Sequence, residues 1–482
     1  MNNKFIVALD QGSSSSRAVA ITTHGEVRTR YATQVDTLRP AGNLAELNPQ
    51  HLLMGQLEVL EKVVNDVEIE NLVALALSGQ RSTIVFWDKM TGQPLGPALS
   101  WQDGRAAREI EKINLSQESV HQITGLYKTP FYSAAKISWA LEHIPAVAQA
   151  ARESRLCIGP TVSYIIWHLT KGKVFACDPT LAQRTLLFNL NKMNWDEQLL
   201  RAFGIQRQWL PQIKHSSDDY GAWEYQGKQV PICVCVGDQQ AALCALRVVS
   251  GGACINYGTG AFFMRHTGGQ CRLLQGLLTS VAASSAESGY EFLLEGPLNA
   301  CGTIFTWLNS LGVCVNPTDL DALVKEATHP IWFLPALGGL GAPYWDFSAS
   351  PVMAGFSPYT SKADILAGAL QGLTCLMADI VFYAERFGFK SSDIKVSGGL
   401  SNSISLLQMQ ADILQTRLLP CIEKESTAMG AALLAAEWLK EDISMWETLH
   451  LLPAIQPQMD CDQAEAQYNQ WHSFLNWCRS GK

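Results

Sequence analysis

The stretch FIVALDQGSSSSRAVAI, residues 5–21, decides the fold expected for the start of this chain. An apolar run leads into Asp10, Gly12 and four consecutive serines follow, and Arg17 precedes a second apolar run. Apolar segments joined by a bend of small polar residues are typical of a β-hairpin. Successive backbone N–H groups in such a bend form a concave anion site, and glycine lets an anion approach the backbone. The stretch therefore predicts two buried strands joined by a loop suited to phosphate.

A second stretch, CINYGTGAFFMRH at residues 254–266, repeats the order of strand, small-residue turn and strand. Strand and helix patterns alternate along the chain, which predicts α/β layers. A chain of 482 residues is too long for one ordinary core, and two domains of roughly 200–250 residues each are expected. We predict a duplicated α/β architecture, with an N-terminal domain at 1–246 and a C-terminal domain at 247–482.

The composition is that of an ordinary globular protein, with 47% hydrophobic and 17% charged residues. The net charge is -8 and no long run of lysine and arginine occurs, which argues against nucleic acid and anionic membranes as partners. The 13 cysteines are irregularly spaced and read as reduced, small hydrophobic residues. We find no signal-peptide pattern near the first residues, and we expect no apolar window of 18 residues that could span a membrane. The prediction is therefore a soluble cytoplasmic protein.

Common nucleotide and hydrolase motifs are missing from the sequence: there is no P-loop, no dinucleotide-binding glycine fingerprint, no H-E-x-x-H and no nucleophile elbow. Instead, small-residue bends end three predicted strands, at 10–17, 256–260 and 398–403. Arg17 would add a fixed positive charge beside bound phosphate. Asp10 would be repelled by phosphate unless a cation lay between them, so we interpret it as a Mg²⁺ partner acting through water.

Asp238 follows another apolar strand and is the candidate general base. Each of these features also has a structural interpretation. The bends could be simple hairpin or strand-to-helix turns, and Asp238 could be a helix N-cap. Arg81 and Trp101 could be ordinary surface and core residues.

Taken together, the motifs resemble the FGGY carbohydrate kinase family, and within it the glycerol kinases. The matching segments occur in the family's order from residue 5 to about 440 and are ALDQGSSSSRA, SGQRSTIVFWDKMTG, WQDGRAA, GDQQAAL, NYGTGAFF, LEGP, GLGAPYWD, SGGLSN and ADILQTR. The resemblance implies two ribonuclease-H-like domains of the actin/hexokinase/sugar-kinase superfold with a central cleft. It also implies Mg²⁺ and ATP as the phosphoryl donor.

Carried over by this resemblance, Asp238 is the catalytic base and Arg17 lies near the transferred phosphate, with Asp10 serving the metal. The residues implied to bind nucleotide are Gly12, Ser13, Ser14, Ser15, Gly258, Thr259, Gly260, Gly302, Gly398, Gly399 and Ser403. Those implied to hold the polyol are Arg81, Trp101, Gln239 and Phe262.

Some positions depart from the glycerol kinase pattern. Ser82 stands where glycerol kinases carry a glutamate, and Phe131 where they carry a tyrosine, with Tyr132 next to it. WQDGR resembles a xylulokinase segment, so Asp103 is a candidate sugar ligand replacing the lost carboxylate. A site built to bond a hydroxyl rejects substrates that lack it, so moving these groups changes specificity.

The expected activity is phosphorylation of a primary hydroxyl of a small polyol or ketose. Glycerol is the first substrate expected, and a pentulose such as xylulose or ribulose is the near alternative. A regulatory protein that binds nucleotide without transferring phosphate and an actin-like assembly protein are the remaining alternatives. Homo-oligomerisation is left open.

Overall fold

The computed structural model describes residues 4–313, 319–421, 425–447 and 452–480. In the N-terminal half the helices are α1 Pro49–Val67, α2 Ala107–Glu111, α3 Gln117–Thr124, α4 Ser133–His143, α5 Pro145–Arg152, α6 Thr161–Leu169, α7 Pro179–Gln183, α8 Glu197–Ala202 and α9 Asp238–Ala245. Its strands are β1 Phe5–Gln11, β2 Ser15–Thr22, β3 Val27–Gln34, β4 Glu46–Leu47, β5 Leu72–Gly79, β6 Ile84–Asp88, β7 Ala98–Leu99, β8 Leu156–Pro160, β9 Ala176–Cys177, β10 Phe188–Asn189, β11 Asn194–Trp195, β12 Gln212–Ile213, β13 Ala222–Tyr225 and β14 Lys228–Gly237.

The C-terminal half contains strands β15 Ala253–Tyr257, β16 Ala261–Gly268, β17 Leu278–Val281, β18 Phe292–Leu298, β19 Trp332–Leu334, β20 Val352–Ala354, β21 Asp393–Ser397 and β22 Arg417–Pro420. Its helices are α10 Gly302–Ser310, α11 Leu320–Val324, α12 Lys362–Glu385, α13 Ile404–Leu414, α14 Ser426–Trp438 and α15 Cys461–Ser480.

The two large sheets share a five-stranded core of the same topology, and their sixth strands, β13 and β17, lie at opposite edges of that core. The first is a six-stranded sheet in the order β13-β14-β5-β1-β2-β3, and the second is six-stranded in the order β17-β18-β16-β15-β21-β22. In each, an antiparallel meander (β1-β2-β3 or β15-β16-β18) is extended on one side by two parallel strands (β5 and β14, or β21 and β22). The duplicated architecture and the hairpin predicted from residues 5–21 are therefore confirmed.

The parallel strands explain the position of the polar residues. All side chains of β1 are buried, because the sheet is covered on both faces. The register aligns Gln11, Gly79 and Gly237 at the ends of β1, β5 and β14. Residues at or just beyond these positions consequently meet at one edge of the sheet.

Helix α14 joins the two halves, because it comes from the C-terminal half and packs on a face of the N-terminal sheet. Its alanines share a buried cluster with Ile6 and Ala8 of β1 and with Ala241 of α9. A Cβ atom at Gly430 would overlap the backbone of Ala241, so glycine is required for this close approach. The small residues of α14 thus allow it to pack closely on α9 and on the N-terminal sheet.

One sequence-based expectation was wrong. Helix α12 is long and apolar enough to cross a membrane by length and composition, although no such window was expected. It has a capping box at Ser361 and Asp364, and 83% of the apolar window is buried inside the molecule. It belongs to the core of the C-terminal half.

Candidate active site

Asp10 and Asp238 lie at the edge of the N-terminal sheet where β1, β5 and β14 end. Asp10 is near the end of β1 and accepts a hydrogen bond from Ser78 at 3.4 Å. Asp238 is the first residue of α9, whose N-cap is Gly237, and 34% of its side chain is exposed. The N-cap interpretation of Asp238 is therefore not supported, and its carboxylate is accessible from the cleft.

The two carboxylates influence each other. Burial, and then the charge of Asp238, raises the pKa of Asp10 to about 7, while Arg17 lowers it. Burial also raises the pKa of Asp238, against the lowering effects of Arg81 and the Gln239 amide. A buried carboxylate beside a second, partly exposed one of like charge fits a divalent cation, because its charge would favour the ionised forms of both.

The loop between β1 and β2 has a defined shape. Gly12 N donates to Ser15 O at 3.0 Å, and the Gln80 side chain donates to Gly12 O at 3.2 Å. Ser13, Ser14 and Ser15 are partly or fully exposed. The loop is a hairpin turn, as the structural interpretation held, and its accessible serines also leave it available to an anion.

Arg17 belongs to β2 and faces the C-terminal half. Its Nε donates to Ser15 Oγ at 3.0 Å, and its Nη1 lies 3.6 Å from Glu425 Oε2. Glu425 also lies 3.4 Å from Arg30. An ion pair thus connects β2, next to the β1–β2 loop, to the residue before α14.

The second loop, 258–260, supports the start of α10. Gly302 N donates to Gly258 O at 3.0 Å, and Cys301 N donates to Thr259 O at 2.9 Å. A Cβ at Gly302 would lie 2.9 Å from Gly258 O, and one at Gly260 would lie 2.8 Å from Leu298 O. Both glycines are required for backbone packing, while Thr259 is exposed.

The third bend, 398–403, begins with two glycines, of which the first packs against the neighbouring backbone and the second does not. Gly398 has φ +97, and a Cβ there would collide with the Tyr257 backbone. Gly399 has no atom within 4 Å of such a Cβ, so its face is open. Ser403 caps α13 and donates to Asp321 Oδ1 at 2.6 Å, so its side chain has a structural role and we leave it out of the site.

Arg81, two residues beyond β5, bends over the start of α9. Its Nε lies 3.6 Å from Asp238 Oδ1, and its Nη2 bonds the side chain of Gln239. A Cβ at Gly237 would lie 3.1 Å from Arg81 Cγ and Cδ. The absence of a side chain at Gly237 therefore leaves space for the Arg81 side chain. The structure brings Arg81, Asp238 and Gln239 together, as the resemblance implies.

The loops that carry Arg81 and Trp101 are joined by a buried lysine. Lys136 Nζ donates to Ser82 O at 3.0 Å and to Ser100 O at 2.7 Å. Ser82 adopts φ +64, a left-handed conformation that is unusual for serine. Burial lowers the pKa of Lys136 to about 7. The two loops are thereby fixed relative to each other.

The aromatic residues expected at the polyol site differ in exposure. Trp101 is 40% exposed and Phe131 is 44% exposed, high values for such large apolar side chains. Phe262 is half-buried on β16, opposite Pro297 of β18. Accessible aromatic surfaces suit the carbon face of a small polyol.

Asp103 does not have the accessibility expected of a sugar ligand. It is 0% exposed. Its Oδ1 accepts from Arg105 Nε at 2.8 Å and its Oδ2 accepts from Ala45 N at 2.6 Å. Its carboxylate is already paired, so we leave it out of the site and it does not replace the carboxylate missing at Ser82.

Sequence reasoning missed a buried charge cluster beside Arg81. Glu295 of β18 is 0% exposed, lies 3.5 Å from Arg81 Nη1 and bonds Arg184. Ser280 donates to Glu295 at 2.8 Å, and Arg184 bonds the Tyr132 hydroxyl. A glutamate inside the apolar strand FLLEGPL was the available signal, because charged residues are rarely buried unless paired.

Comparisons with known proteins cover almost the whole chain. The N-terminal domain of the FGGY family of carbohydrate kinases matches residues 5–245, and the C-terminal domain of that family matches residues 253–437. A glycerol kinase from Pseudothermotoga lettingae is 34% identical over 491 residues, covering 98% of each chain. A glycerol kinase from Thermus brockianus is 33% identical, covering 99% of this chain and 100% of the relative.

Solved structures agree on the fold. Plasmodium falciparum glycerol kinase with ADP superimposes with a TM-score of 0.93 at 24% identity, covering 99% of this chain and 98% of the other. A xylulose kinase from Rhodospirillum rubrum gives a TM-score of 0.88 at 18% identity, covering 99% of each chain. The fold is that of the actin/hexokinase-like sugar kinases, and the chain belongs to the FGGY family of carbohydrate kinases.

Proposed function

We propose that this carbohydrate kinase transfers the γ-phosphate of ATP to a primary hydroxyl of glycerol or a closely related small polyol. The observation that carries the proposal is the group formed by Asp238, Arg81 and Gln239 at the start of α9. It offers a carboxylate and polar donors to a hydroxyl-bearing substrate at the same sheet edge as Asp10. Relatives named glycerol kinase over nearly the full length support glycerol as the acceptor.

In this proposal Asp238 orients the acceptor hydroxyl and takes its proton late in the transfer. Phosphoryl transfer depends mainly on alignment and charge neutralisation, so a strongly basic group is unnecessary. Arg81 and Gln239 hold the neighbouring hydroxyls, and Trp101, Phe131 and Phe262 contact the carbon chain. Each of these acceptor-site contacts is a proposal.

The phosphate side of the proposal uses the loops of both halves. The loop of Gly12, Ser13, Ser14 and Ser15 and the turn of Thr259 and Gly260 would cradle phosphates, with Gly302, Gly398 and Gly399 lining the nucleotide site. Arg17 would hold the transferred group. Asp10 would hold Mg²⁺, which when bound neutralises charge on the phosphate oxygens.

The alternatives have lost their support. The pentulose alternative drew on the departures at Ser82 and Phe131 and on Asp103 as a sugar ligand. The Asp103 side chain is buried and paired, which removes the sugar ligand from this alternative. A protein that only binds nucleotide, or one that assembles like actin, is disfavoured by membership of a carbohydrate kinase family along both halves.

A coupled assay of ADP release tests the proposal. Purified protein with Mg²⁺ and ATP is offered glycerol, erythritol, dihydroxyacetone, xylulose, ribulose and gluconate. We expect the highest kcat/KM with glycerol or another three-carbon polyol. A preference for a pentulose would overturn the acceptor assignment, and ATP binding without turnover of any acceptor would overturn the kinase proposal.

The cellular setting is also proposed. All cysteines in the described part of the chain are free thiols, which suits a reducing cytoplasm, and the pI near 5.7 argues against nucleic acid as a partner. We also propose that the N-terminal domain ends at residue 246 and the C-terminal domain begins at residue 247. Sedimentation of the purified protein would establish whether it is a homo-oligomer.

A further inference from the structure

Glu295 is the charged residue that the C-terminal half contributes beside the acceptor site. It lies in the middle of β18, between Met264 of β16 and Leu278 of β17, and is completely buried. The strand Phe292–Leu298 is otherwise made of apolar residues, glycine and proline. Replacing a whole buried ion pair by apolar residues of similar volume is often neutral or even stabilising, so stability alone does not account for an ion-paired glutamate here.

The contacts of Glu295 converge on one oxygen. Oε2 lies 3.5 Å from Arg81 Nη1, accepts from Ser280 Oγ at 2.8 Å and bonds Nη2 of Arg184. Arg184 in turn donates to Ser280 at 2.7 Å. Although burial alone would raise it, the two guanidinium groups hold the pKa of Glu295 at about 2, so the carboxylate is charged at neutral pH.

Arg81 and Arg184 belong to the N-terminal half, so this carboxylate connects the two halves directly behind the acceptor site. Arg81 then reaches forward from Glu295 to the Gln239 side chain and to within 3.6 Å of Asp238. The charges balance locally: two arginines face Glu295 and Asp238. If Glu295 were absent, Asp238 would be the one carboxylate left in this group, and it would attract the guanidinium groups of both Arg81 and Arg184.

We propose that Glu295 is a positioning residue for the acceptor: it holds Arg81 from behind, so that the guanidinium faces the substrate hydroxyls without collapsing onto Asp238. This inference rests on the proposed function, because it assigns Arg81 and Asp238 to the acceptor site. It makes the charged part of the acceptor site dependent on both halves of the molecule, although Arg81, Asp238 and Gln239 themselves come from one half.

The test compares Michaelis constants in the full-length protein. Glu295→Gln keeps the shape and removes the charge. We expect KM for the acceptor to rise by about tenfold or more, as for loss of a charge-assisted contact, while KM for ATP changes by less than about twofold. Glu295→Asp keeps the charge with a shorter reach, and its acceptor KM should lie between those of the wild type and Glu295→Gln.

The matched control is Asp379→Asn. Asp379 is also a buried carboxylate, but it accepts from Tyr344 at 2.8 Å and His472 at 2.7 Å on the outer side of the C-terminal core. We expect this variant to melt at a lower temperature with both KM values unchanged. The contrast separates loss of stability from loss of acceptor positioning.

If Glu295→Gln does not fold, the double variant Glu295→Gln with Arg184→Gln removes both charges of the pair and leaves Arg81 unsupported. A raised acceptor KM with unchanged ATP KM supports the proposal. A folded variant of either kind whose acceptor KM stays within about twofold of the wild type overturns it, because a lost positioning contact costs more than that. Absence of turnover by the wild type on every acceptor would overturn the proposed function first, and this inference with it.

Discussion

At the scale of single residues, the site depends on charges that the fold forces close together. Asp10, Asp238, Arg81 and Glu295 lie close together, and their pKa values are shifted by burial and by neighbouring charges of this group. Shifted carboxylates in a cleft are typical of catalytic sites, and ion-pair networks shift pKa values too. Mutation of each residue separates these roles.

Asp238→Asn removes the proposed base and keeps the size of the side chain. We expect kcat to fall by about 10²–10⁴-fold, the usual contribution of a positioned base. ADP release with saturating glycerol and ATP measures it. Asp196→Asn is the control, since Asp196 caps α8 and should affect stability alone. Full-rate turnover by Asp238→Asn would remove Asp238 from the base role.

Arg81→Ala tests the acceptor side independently. The guanidinium bonds Gln239 and lies 3.6 Å from Asp238, so its loss would remove the proposed acceptor contacts and leave the loops proposed to bind phosphate intact. We expect KM for the polyol to rise by about 10- to 100-fold, as for charged hydrogen bonds, and KM for ATP to change little. Equal effects on both constants in initial-rate measurements would place Arg81 elsewhere.

At the scale of elements, small residues decide which helices can approach each other. Gly430 of α14 faces the backbone of Ala241 in α9, where a methyl group has no space. We expect Gly430→Ala to destabilise the protein by about 1–3 kcal/mol or more, as overpacking does. Urea unfolding measures it, and Gly269→Ala, with no atom within 4 Å of its Cβ, is the control. Equal midpoints for the two variants would contradict the packing argument.

Lys136, which bonds the loops that carry Arg81 and Trp101, gives a pH-dependent prediction. Burial lowers the pKa of Lys136 from 10.5 to about 7, so between these values the unfolded chain binds more protons and stability rises with pH. Relative to Lys136→Met, the free energy of unfolding should rise by up to about 1.4 kcal/mol per pH unit. Urea unfolding at pH 7, 8 and 9 tests this, and parallel pH profiles for the two proteins would contradict it.

At the scale of the whole molecule, the two halves meet through ion pairs as well as through α14. Arg17 lies 3.6 Å from Glu425, beside the loop proposed to hold phosphate. Bound phosphate would compete with this carboxylate for the arginine. The ion pair is partly exposed, so its effect on nucleotide binding should be modest.

Glu425→Gln is therefore expected to lower KM for ATP by about two- to fivefold, the range of a partly exposed ion pair. Initial rates at varied ATP and saturating polyol measure the change. Glu441→Gln is the matched control, because Glu441 pairs with Lys4 at 3.4 Å, also between residues of the two halves. A higher KM for ATP in Glu425→Gln would show that Glu425 supports the nucleotide site.

The sequence by itself determined the duplicated α/β fold, the three small-residue bends and the position of Asp238 at the start of a helix. These follow from local patterns, since apolar runs and turn residues report on the chain near them. The tertiary structure alone decided which charges meet. Glu295 lies 214 residues after Arg81 in the chain, and the buried Asp103 accepts a hydrogen bond from the backbone N–H of Ala45. Contacts between residues so far apart in sequence depend on how sheets and loops pack and not on local pattern.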